Sequence, residues 1–331
     1  MTAGRLNSLT DVPGIQVGNV TRIGDGALTG TTVIVPPPGS VAGVDIRGGA
    51  PSTRETAALD PRNGAHSPSA FVLTGGSSYG LSAAHGVCDV LGGLVPAAAL
   101  FDLGRGGDFH ARPDAATGVA ALRAADGYAV SEGNAGAGTG ALTAEMKGGL
   151  GSASTVLPDG TVIAALLAMN AVGSTIGPDG LPYALRFGET SRVRDGKIVD
   201  WQEFVLSTPD TDTVHTAHEL LAKTVRARTT RKPMNTVIGV VATDALLTPV
   251  ECHQLARRAQ DGLALGIQPS HCLGDGDTMF ATATGKTTAD VGMLLEAASV
   301  VVARAIVHAV LAADSVTTGW GHIASYRELY L

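Results

Sequence analysis

The last third of the chain alternates apolar β-type runs with segments of helical spacing, and this alternation restricts the possible folds more than any other feature. The runs TVIGVVAT at 236–243 and TMFATAT at 278–284 are predicted to be buried strands. Between them, TPVE at 248–251 is a capping box with proline at the first helical position, which predicts a helix start. Asp290 can cap a second helix with a long apolar face. The order β-α-β-α, with both helices able to cover a sheet, predicts an α/β fold.

The chain before this third supplies further strands and turns. The predicted elements are a strand at 31–37, a strand, glycine turn and helix across 70–94, a short helix at 119–125 and a hairpin at 154–173. The hairpin turns at Pro158-Asp159-Gly160, and Asn170 lies at the end of its second strand. The 44 glycines are too many for a plain helical bundle and indicate tight turns and close backbone packing.

Charge and hydropathy argue against several classes of partner. With a net charge of −7, the chain lacks the basic face that a nucleic-acid partner needs. The basic run 223–232 is predicted to be a solvated linker or loop. Ionisable residues interrupt the apolar stretch at 291–313, so we expect a buried helix in a soluble core rather than a membrane span. The N-terminus lacks the apolar segment of a secretory signal, and three scattered cysteines are predicted to be reduced thiols. A cytoplasmic protein is therefore expected, with cysteines at Cys88, Cys252 and Cys272.

The motif GGSSYG at 75–80 contains G-x-S-x-G between a predicted strand and a predicted helix. That is the context of a nucleophile elbow, with Ser78 as the nucleophile. The acid and the base would follow along the chain as Asp275 and either His308 or His322. The alternative is a tight strand-to-helix turn with no catalytic role.

Two further patterns suggest cofactor or metal binding, but structural explanations are favoured. GNAGAGTGA at 133–141 fits G-x-G-x-x-A, yet the glycine-rich chain after it is a poor helix, so close-packed loop or strand backbone is favoured over a dinucleotide site. Cys252-His253 and His271-Cys272 are pairs of adjacent residues, whose side chains diverge instead of facing one ion. The sequence therefore predicts no cofactor and no metal.

GDGD at 274–277 places Asp275 and Asp277 two residues apart, on the same side of an extended chain. Two neighbouring carboxylates raise the pKa of one and lower that of the other, and they can position an amine or a hydroxyl. A polar turn is the alternative explanation.

Thr236 stands at the first position of a predicted strand, after a polar and basic approach that ends at Asn235. This arrangement fits a precursor that cleaves itself, in which Thr236 Oγ attacks the carbonyl of Asn235 and the resulting ester hydrolyses. The new N-terminal threonine then carries both nucleophile and base, because an α-amino group with a pKa of about 8 accepts a proton near neutrality. An ordinary strand start, where threonine is common, is the alternative.

Several long motifs in one order cover nearly the whole chain. They are LTDVPGIQVGN at 9–19, PPPGSVAGVDIRGGAPSTRET at 36–56, VLTGGSSYGLSAA at 72–84, EGNAGAGTGA at 132–141, KGGLGSAS at 147–154, NTVIGVVATDALLT at 235–248 and GDGDTMFATATG at 274–285. In these motifs the chain resembles the family of L-aminopeptidase/D-esterases, β-peptidyl aminopeptidases and nylon-oligomer hydrolases.

The resemblance implies one α/β domain over 1–331, an αββα sandwich of the N-terminal-nucleophile type made from a precursor that cuts itself before a Ser or Thr. Here the cut falls between Asn235 and Thr236, which gives a larger chain, 1–235, and a smaller chain, 236–331. The two fragments stay associated, and such pairs usually assemble as a homotetramer. The Asn-Thr junction is closer to the nylon-oligomer hydrolases than to the Gly-Ser junction of the aminopeptidases, which leaves the substrate open.

The resemblance also assigns roles around the nucleophile. Thr236 is the nucleophile, and its freed amine is the base. Asp275 and Asp277 match the pair that orients the nucleophile. Lys147, in KGG, lies where its charge favours the alkoxide and stabilises developing negative charge. Asn170, in AMNAVG, is expected to donate its side-chain amide to the oxyanion.

For the substrate, the resemblance assigns Glu132, in EGN, to a substrate ammonium and Tyr79, in SSYGL, to the wall of the pocket. The chain is thus expected to be an amidohydrolase or aminopeptidase that cleaves small peptides, β-peptides or ω-amino acid oligomers through an acyl-Thr236 intermediate. Three alternatives remain open. One is a hydrolase that uses Ser78 in an uncut chain, the second an acyltransferase of the same fold, because glutamate/ornithine acetyltransferases resemble it and also cut before Thr. The third is a non-catalytic ligand-binding relative.

Overall fold

The computed structural model describes residues 1–64, 67–194, 196–228 and 235–331, which form four layers in the order helix, sheet, sheet, helix. The strands are β1 (Thr2–Ala3), β2 (Gln16–Gly24), β3 (Ala27–Val35), β4 (Val41–Ile46), β5 (Thr53–Arg54), β6 (Phe71–Thr74), β7 (Ala97–Ala99), β8 (Leu142–Thr143), β9 (Met146–Lys147), β10 (Leu150–Val156), β11 (Val162–Ala168), β12 (Glu189–Arg194), β13 (Lys197–Gln202), β14 (Ile238–Ala245), β15 (Thr278–Thr287), β16 (Val316–Thr318) and β17 (Gly321–Ile323).

Helices of two kinds connect and cover these strands. The α-helices are α1 (Ser77–Gly80), α2 (Ser82–Leu91), α3 (Ala115–Arg123), α4 (Thr211–Arg228), α5 (Pro249–Gly266), α6 (Val291–Leu311) and α7 (Tyr326–Tyr330). Short 3-10 helices lie at Leu9–Asp11, Thr56–Leu59, Gly136–Gly138 and Leu185–Gly188.

The larger sheet has the strand order β13-β12-β1-β10-β11-β14-β15-β4. Its two central strands from the last third of the chain, β14 and β15, run parallel to each other, and antiparallel strands from the first part of the chain flank them on both sides. Residues just before β14 and β15 therefore emerge side by side at one edge of the sheet, next to the end of β11.

The second sheet, of order β2-β3-β6-β7-β5, packs face to face on the first. Phe71 and Leu73 of the second sheet belong to one buried apolar cluster with Leu166, Val240 and Phe280 of the larger sheet. The Phe71 and Phe280 rings lie 5.3 Å apart between centroids. Helices α5 and α6 cover the outer face of the larger sheet, while α2 and α3 cover the outer face of the second. The result is the αββα sandwich that the sequence motifs implied.

The two predicted helix starts in the last third are confirmed. Thr248 and Glu251 cap each other at the start of α5, with Pro249 at the first helical position. Asp290 accepts a hydrogen bond from Met293 N at the start of α6. Helix α6 has the length and composition of a membrane span, with a mean hydropathy of 1.9 over its most apolar window, and 67% of that window is buried inside the protein. The hairpin of β10 and β11 is also confirmed.

The structure corrects the predicted start of the central strand. The sheet ladder of β14 begins at Ile238, two residues after Thr236. The reason is that the preceding backbone N–H groups have other acceptors: Thr236 N donates to Asn170 O and Val237 N donates to the Asp277 carboxylate. Thr236 therefore lies just before the first residue of β14 rather than within the strand.

The predicted linker at 223–232 was wrong in its first part, because α4 runs through Arg228. Among residues 211–224 of this helix, most side chains are polar and Ala217 alone is fully buried, so periodicity gives a weak signal. The rest of the predicted linker, residues 229–232, lies outside the described residues.

Candidate active site

Thr236 is buried at the place where β11 ends and where β14 and β15 begin. Its backbone N–H donates to Asn170 O at 2.7 Å. Its side-chain Oγ donates to the carbonyl oxygen of the preceding residue, Asn235, at 2.5 Å. Thr236 is only 4% exposed. The Thr236 hydroxyl is thus directed at the peptide bond that joins Asn235 to Thr236.

The GDGD segment runs alongside this peptide bond and holds it in place. Asn235 N donates to Gly274 O at 3.2 Å, and Gly276 N donates to Asn235 O at 3.2 Å. Thr278 N then donates to Val237 O at 2.9 Å, where the ladder of β14 and β15 starts. The Asn235 carbonyl therefore accepts from the Thr236 hydroxyl and from the Gly276 N–H, and the Gly276 N–H is the donor that polarises this carbonyl toward attack.

The two aspartates flank the threonine and are both buried. Asp275 accepts hydrogen bonds from Val172 N and Cys272 N, while Asp277 accepts from Val237 N. Burial, together with the nearby charge of Asp277, raises the pKa of the Asp275 carboxyl. The Asp277 carboxylate therefore fixes the backbone just after Thr236, whereas the Asp275 carboxylate holds the neighbouring segments at Val172 and Cys272.

His271 adds a further group to this cluster. Its Nδ1 lies 2.7 Å from the second oxygen of the Asp277 carboxylate. The backbone of His271 has a φ of 56°, a conformation that a non-glycine residue adopts at some energetic cost. In the sequence, His271 stands beside Cys272, and that pair alone indicated no more than an unsuitable metal site.

Asn170 is fully buried and is held by its side-chain oxygen. Its Oδ1 accepts from Arg105 Nη1 at 2.6 Å and from Leu142 N at 3.0 Å. Its Nδ2 has no hydrogen-bond partner among the described residues. A buried donor without a partner is costly, so its presence next to Thr236 suggests that an acceptor arrives there during function.

Lys147 is fully buried, on the short strand β9. Its ammonium donates to the carbonyl oxygens of Gly138, Ala141 and Gly148 at 3.1, 3.3 and 2.6 Å. Burial, aided by the positive charge of Arg105, lowers the pKa of Lys147 to about 7. Lys147 is therefore poised between its charged and neutral forms near neutral pH.

Arg105 is the residue that sequence reasoning missed and that ties the site together. It is 6% exposed and donates to Gly140 O and Asn170 Oδ1 through Nη1 and to Asn235 Oδ1 through Nη2. Arg105 lies in the segment DLGRGGD, at 102–108, soon after β7. A charged residue in a glycine-rich segment that follows a buried strand was the available signal.

Glu132 lies in a different set of contacts. Its carboxylate accepts from Ser152 N at 2.8 Å and pairs with His308 Nδ1 at 3.1 Å. Within the described residues, no hydrogen bond or ion pair joins Glu132 to Thr236 or Asn170. Its assignment to a substrate ammonium stays a prediction.

Tyr79 lies at the surface, 52% exposed, on α1. Its ring meets Phe109 edge to face at 6.4 Å between centroids, and the Arg112 guanidinium stacks over it at 4.0 Å. Its assignment to the wall of the substrate pocket also stays a prediction.

The alternative catalytic triad around Ser78 is not assembled. Ser78 is an exposed residue of α1. Its proposed acid, Asp275, is bonded to backbone N–H groups elsewhere, and both candidate bases, His308 and His322, pair with glutamates. The strand-to-helix turn is the better explanation of GGSSYG. Across the described ranges, no cluster of three or more His, Cys, Asp or Glu suited to a metal ion is found.

Comparisons with known proteins point to one relationship. An uncharacterized aminopeptidase of Mycobacterium leprae is 41% identical, over 96% of this chain and 93% of the relative. A 6-aminohexanoate-oligomer endohydrolase of Kocuria sp. is 31% identical, over 86% of this chain and 76% of the relative. The solved structure of an L-aminopeptidase D-Ala-esterase/amidase from Ochrobactrum anthropi, described as a new variant among the Ntn hydrolase fold, matches with a TM-score of 0.71 at 20% identity. That match covers 99% of this chain and 93% of the other.

Fold and relatives together define a hydrolase of amide bonds built on an N-terminal-nucleophile type of αββα sandwich. The chain belongs to peptidase family S58, whose model matches residues 7–324. The family, the fold class and the enzyme class predicted from the sequence motifs are thereby confirmed.

Proposed function

We propose that the protein is a self-processing amidohydrolase, which cleaves its own chain between Asn235 and Thr236 and then hydrolyses amides through an acyl-Thr236 intermediate. The observation that carries this proposal is the hydrogen bond of 2.5 Å from Thr236 Oγ to Asn235 O. Because a carbonyl carbon lies about 1.2 Å from its oxygen, the hydroxyl is held beside the carbon that it must attack. Gly276 N–H contacts the same oxygen and can stabilise the negative charge that develops on it.

Self-cleavage begins when Thr236 Oγ bonds to the carbonyl carbon of Asn235. The bond from that carbon to Thr236 N then breaks, and the hydroxyl proton passes to the departing nitrogen, so an ester and a free amine form together. Water hydrolyses the ester, which leaves a carboxylate on Asn235 and an N-terminal amine on Thr236. The products are the proposed chains 1–235 and 236–331.

In the mature enzyme, one residue supplies both nucleophile and base. The α-amino group of Thr236 takes the hydroxyl proton as Oγ attacks a substrate carbonyl, and it returns a proton to the leaving amine. Asn170 Nδ2 donates to the oxyanion, which supplies the acceptor that this buried donor lacks. Lys147 and the two aspartates, Asp275 and Asp277, set the charge around the nucleophile.

The uncut chain leaves no space for a substrate at this nucleophile. Thr236 and Asn235 are 4% and 9% exposed, and Asn235 itself occupies the position of an acyl group. Cleavage and departure of the new chain end must therefore precede turnover.

The activities for which the relatives are named support a choice of substrates. One relative is an aminopeptidase and another an oligomer endohydrolase, so we assign small peptides, β-peptides or ω-amino acid oligomers to this enzyme. The proposal includes fragments that stay associated, assembly of such pairs as a homotetramer, and a cytoplasmic location.

Substitution of the nucleophile tests the proposal. Thr236→Ala should remain one chain on a denaturing gel and should hydrolyse no amide, whereas Thr236→Ser, which keeps a hydroxyl, should still yield two bands. Ser78→Ala removes an exposed hydroxyl and serves as the matched control, with maturation and turnover like the wild type. Two bands from Thr236→Ala, or loss of activity confined to Ser78→Ala, would contradict the proposal.

A further inference from the structure

In the uncut chain, Asn235 is an internal substrate, and its contacts describe the site that binds it. Its side-chain Oδ1 accepts from Arg105 Nη2 at 3.1 Å. Its side-chain Nδ2 donates to Ala171 O at 2.7 Å, and its backbone N donates to Gly274 O at 3.2 Å. Both polar atoms of the carboxamide are therefore paired inside the protein.

The same contacts apply to an external substrate. Thr236 Oγ forms an ester with the Asn235 carbonyl during self-cleavage and with the acyl group of the substrate during turnover. Because one oxygen atom attacks in both reactions, the side chain of a substrate's acyl part can enter the position that the Asn235 side chain leaves. This step rests on the proposed function, since the subsite becomes available only after cleavage.

The donor in this subsite is fixed independently of Asn235. Arg105 Nη1 is anchored by Gly140 O and Asn170 Oδ1, both at 2.6 Å. The guanidinium therefore keeps its direction when Asn235 departs, and it needs no reorganisation to meet a new ligand. Its planar, charged donors suit a carboxamide or carboxylate oxygen.

The acceptor in the subsite, Ala171 O, narrows the choice of substrate side chain. Ala171 O can accept from the NH₂ of a carboxamide, whereas a carboxylate brings only acceptor atoms to it. At the backbone position of Asn235, Gly274 O can accept from a free substrate ammonium. An apolar side chain makes neither the hydrogen bond to Arg105 nor the one to Ala171 O.

We propose that the acyl subsite of the mature enzyme selects amides of asparagine with a free α-amino group, and amides of aspartate second, through Arg105 and Ala171 O. The reaction releases free asparagine and the amine of the leaving group. The specificity comes from hydrogen bonds that an isosteric apolar substrate cannot form, and sites of this kind discriminate more strongly than apolar pockets do.

Hydrolysis of three p-nitroanilides by the purified two-chain enzyme tests the proposal. The L-asparagine anilide should exceed the near-isosteric L-leucine anilide in kcat/KM by at least about tenfold, with the L-aspartate anilide between them. In Arg105→Met the ratio of asparagine to leucine should fall close to one, and using a ratio cancels the general loss that follows from freeing Asn170. Arg123→Met, which removes an exposed arginine on α3, should keep the wild-type ratio.

A second measurement needs no variant and covers the case in which Arg105→Met does not fold. Free L-asparagine should inhibit the wild type competitively with an inhibition constant at least about fivefold below that of L-leucine. Equal inhibition, or a leucine anilide cleaved as well as the asparagine anilide by two-chain enzyme, overturns the proposed specificity while self-cleavage stands. A protein that stays as one chain and cleaves none of the anilides instead overturns the proposed function, and the specificity falls with it.

Discussion

At the scale of single residues, Asn170 gives the sharpest link between structure and chemistry. Its Oδ1 is held by Arg105 and Leu142 N, and its buried Nδ2 has no partner in the described part of the chain. Leaving a buried donor unpaired costs about 1–3 kcal/mol, so the arrangement favours a group that is satisfied only when charge develops on an acceptor.

Replacement of this donor is the first prediction. Asn170→Asp keeps the shape and the oxygen that Arg105 holds but removes the NH₂ group, so kcat per two-chain enzyme should fall by about 10²- to 10³-fold. Asn63→Asp makes the same chemical change at an exposed site and should leave kcat unchanged. An Asn170→Asp enzyme with wild-type kcat would show that the oxyanion has other donors.

Lys147 provides a prediction for pH dependence. Its pKa is lowered by burial to about 7, whereas an unfolded lysine has a pKa of about 10.4. Between about pH 7 and 10 the unfolded chain binds a proton that the folded chain has released, so Lys147 makes stability rise with pH in this window.

The measurement uses the uncut Thr236→Ala protein, in which the environment of Lys147 is the one described. Its free energy of unfolding in guanidinium should increase relative to the Lys147→Met version of the same protein as the pH goes from 7 to 10. Groups other than Lys147 titrate in both proteins and cancel. A constant difference between the two proteins across this range would rule out the lowered pKa.

Most of the proposed site residues could be predicted from the sequence, but Arg105 could not. Thr236, Lys147, Asn170 and the aspartate pair could be proposed as site residues from the sequence, because each lies in a distinctive short motif. Arg105 could not be found in this way, since its importance arises from contacts with residues about 65 and 130 positions later in the chain.

At the scale of elements, helix α6 carries a buried ionic network that its apolar pattern concealed. Arg304 and Glu203 are each 1% exposed in their side chains and form an ion pair, and His308 contacts the same glutamate. Burial by itself would raise the pKa of Glu203, but hydrogen bonds from His308 and Arg304 outweigh it and lower that pKa to about 2.

Removal of one partner should be strongly destabilising. In the uncut Thr236→Ala protein, Glu203→Gln leaves Arg304 buried without its carboxylate and should lower the free energy of unfolding by about 3–5 kcal/mol. Glu296→Gln makes the same change at an exposed glutamate of α6, the helix that carries Arg304. It should change the free energy of unfolding by less than about 0.5 kcal/mol. Chemical denaturation of both variants measures the difference, and equal effects would mean that the pair is not energetically coupled.

Elements with local signals were predictable, and those fixed by distant contacts were not. The starts of α5 and α6 follow from capping residues that bond to their own first turn. The start of β14 was misplaced by two residues because Asn170 and Asp277, far apart in sequence, take the N–H groups that would otherwise begin the ladder.

At the scale of the whole molecule, the proposed cut does not divide the fold into two bodies. Strands β14 and β15, from the smaller proposed chain, lie between β11 and β4 of the larger one. Ile238 pairs with Ala168, and Thr278 pairs with Ile46, so ladders of hydrogen bonds cross between the chains on both sides. The same β-α-β-α order suits several α/β folds, so this layering followed from the family resemblance and not from periodicity.

The interleaved strands predict that the fragments stay together. Matured protein should elute as one species in size-exclusion chromatography and should unfold in one cooperative transition, because separation would expose the centre of the larger sheet. Fragments that separate without denaturant would contradict this packing of the two chains.

The identity of the chain ends in purified wild-type protein is the most direct test of the central claim. Intact mass and N-terminal sequencing under denaturing conditions should find two polypeptides that correspond to residues 1–235 and 236–331, the second beginning with Thr236. A single polypeptide of 33.3 kDa that nevertheless hydrolyses amides would contradict the account.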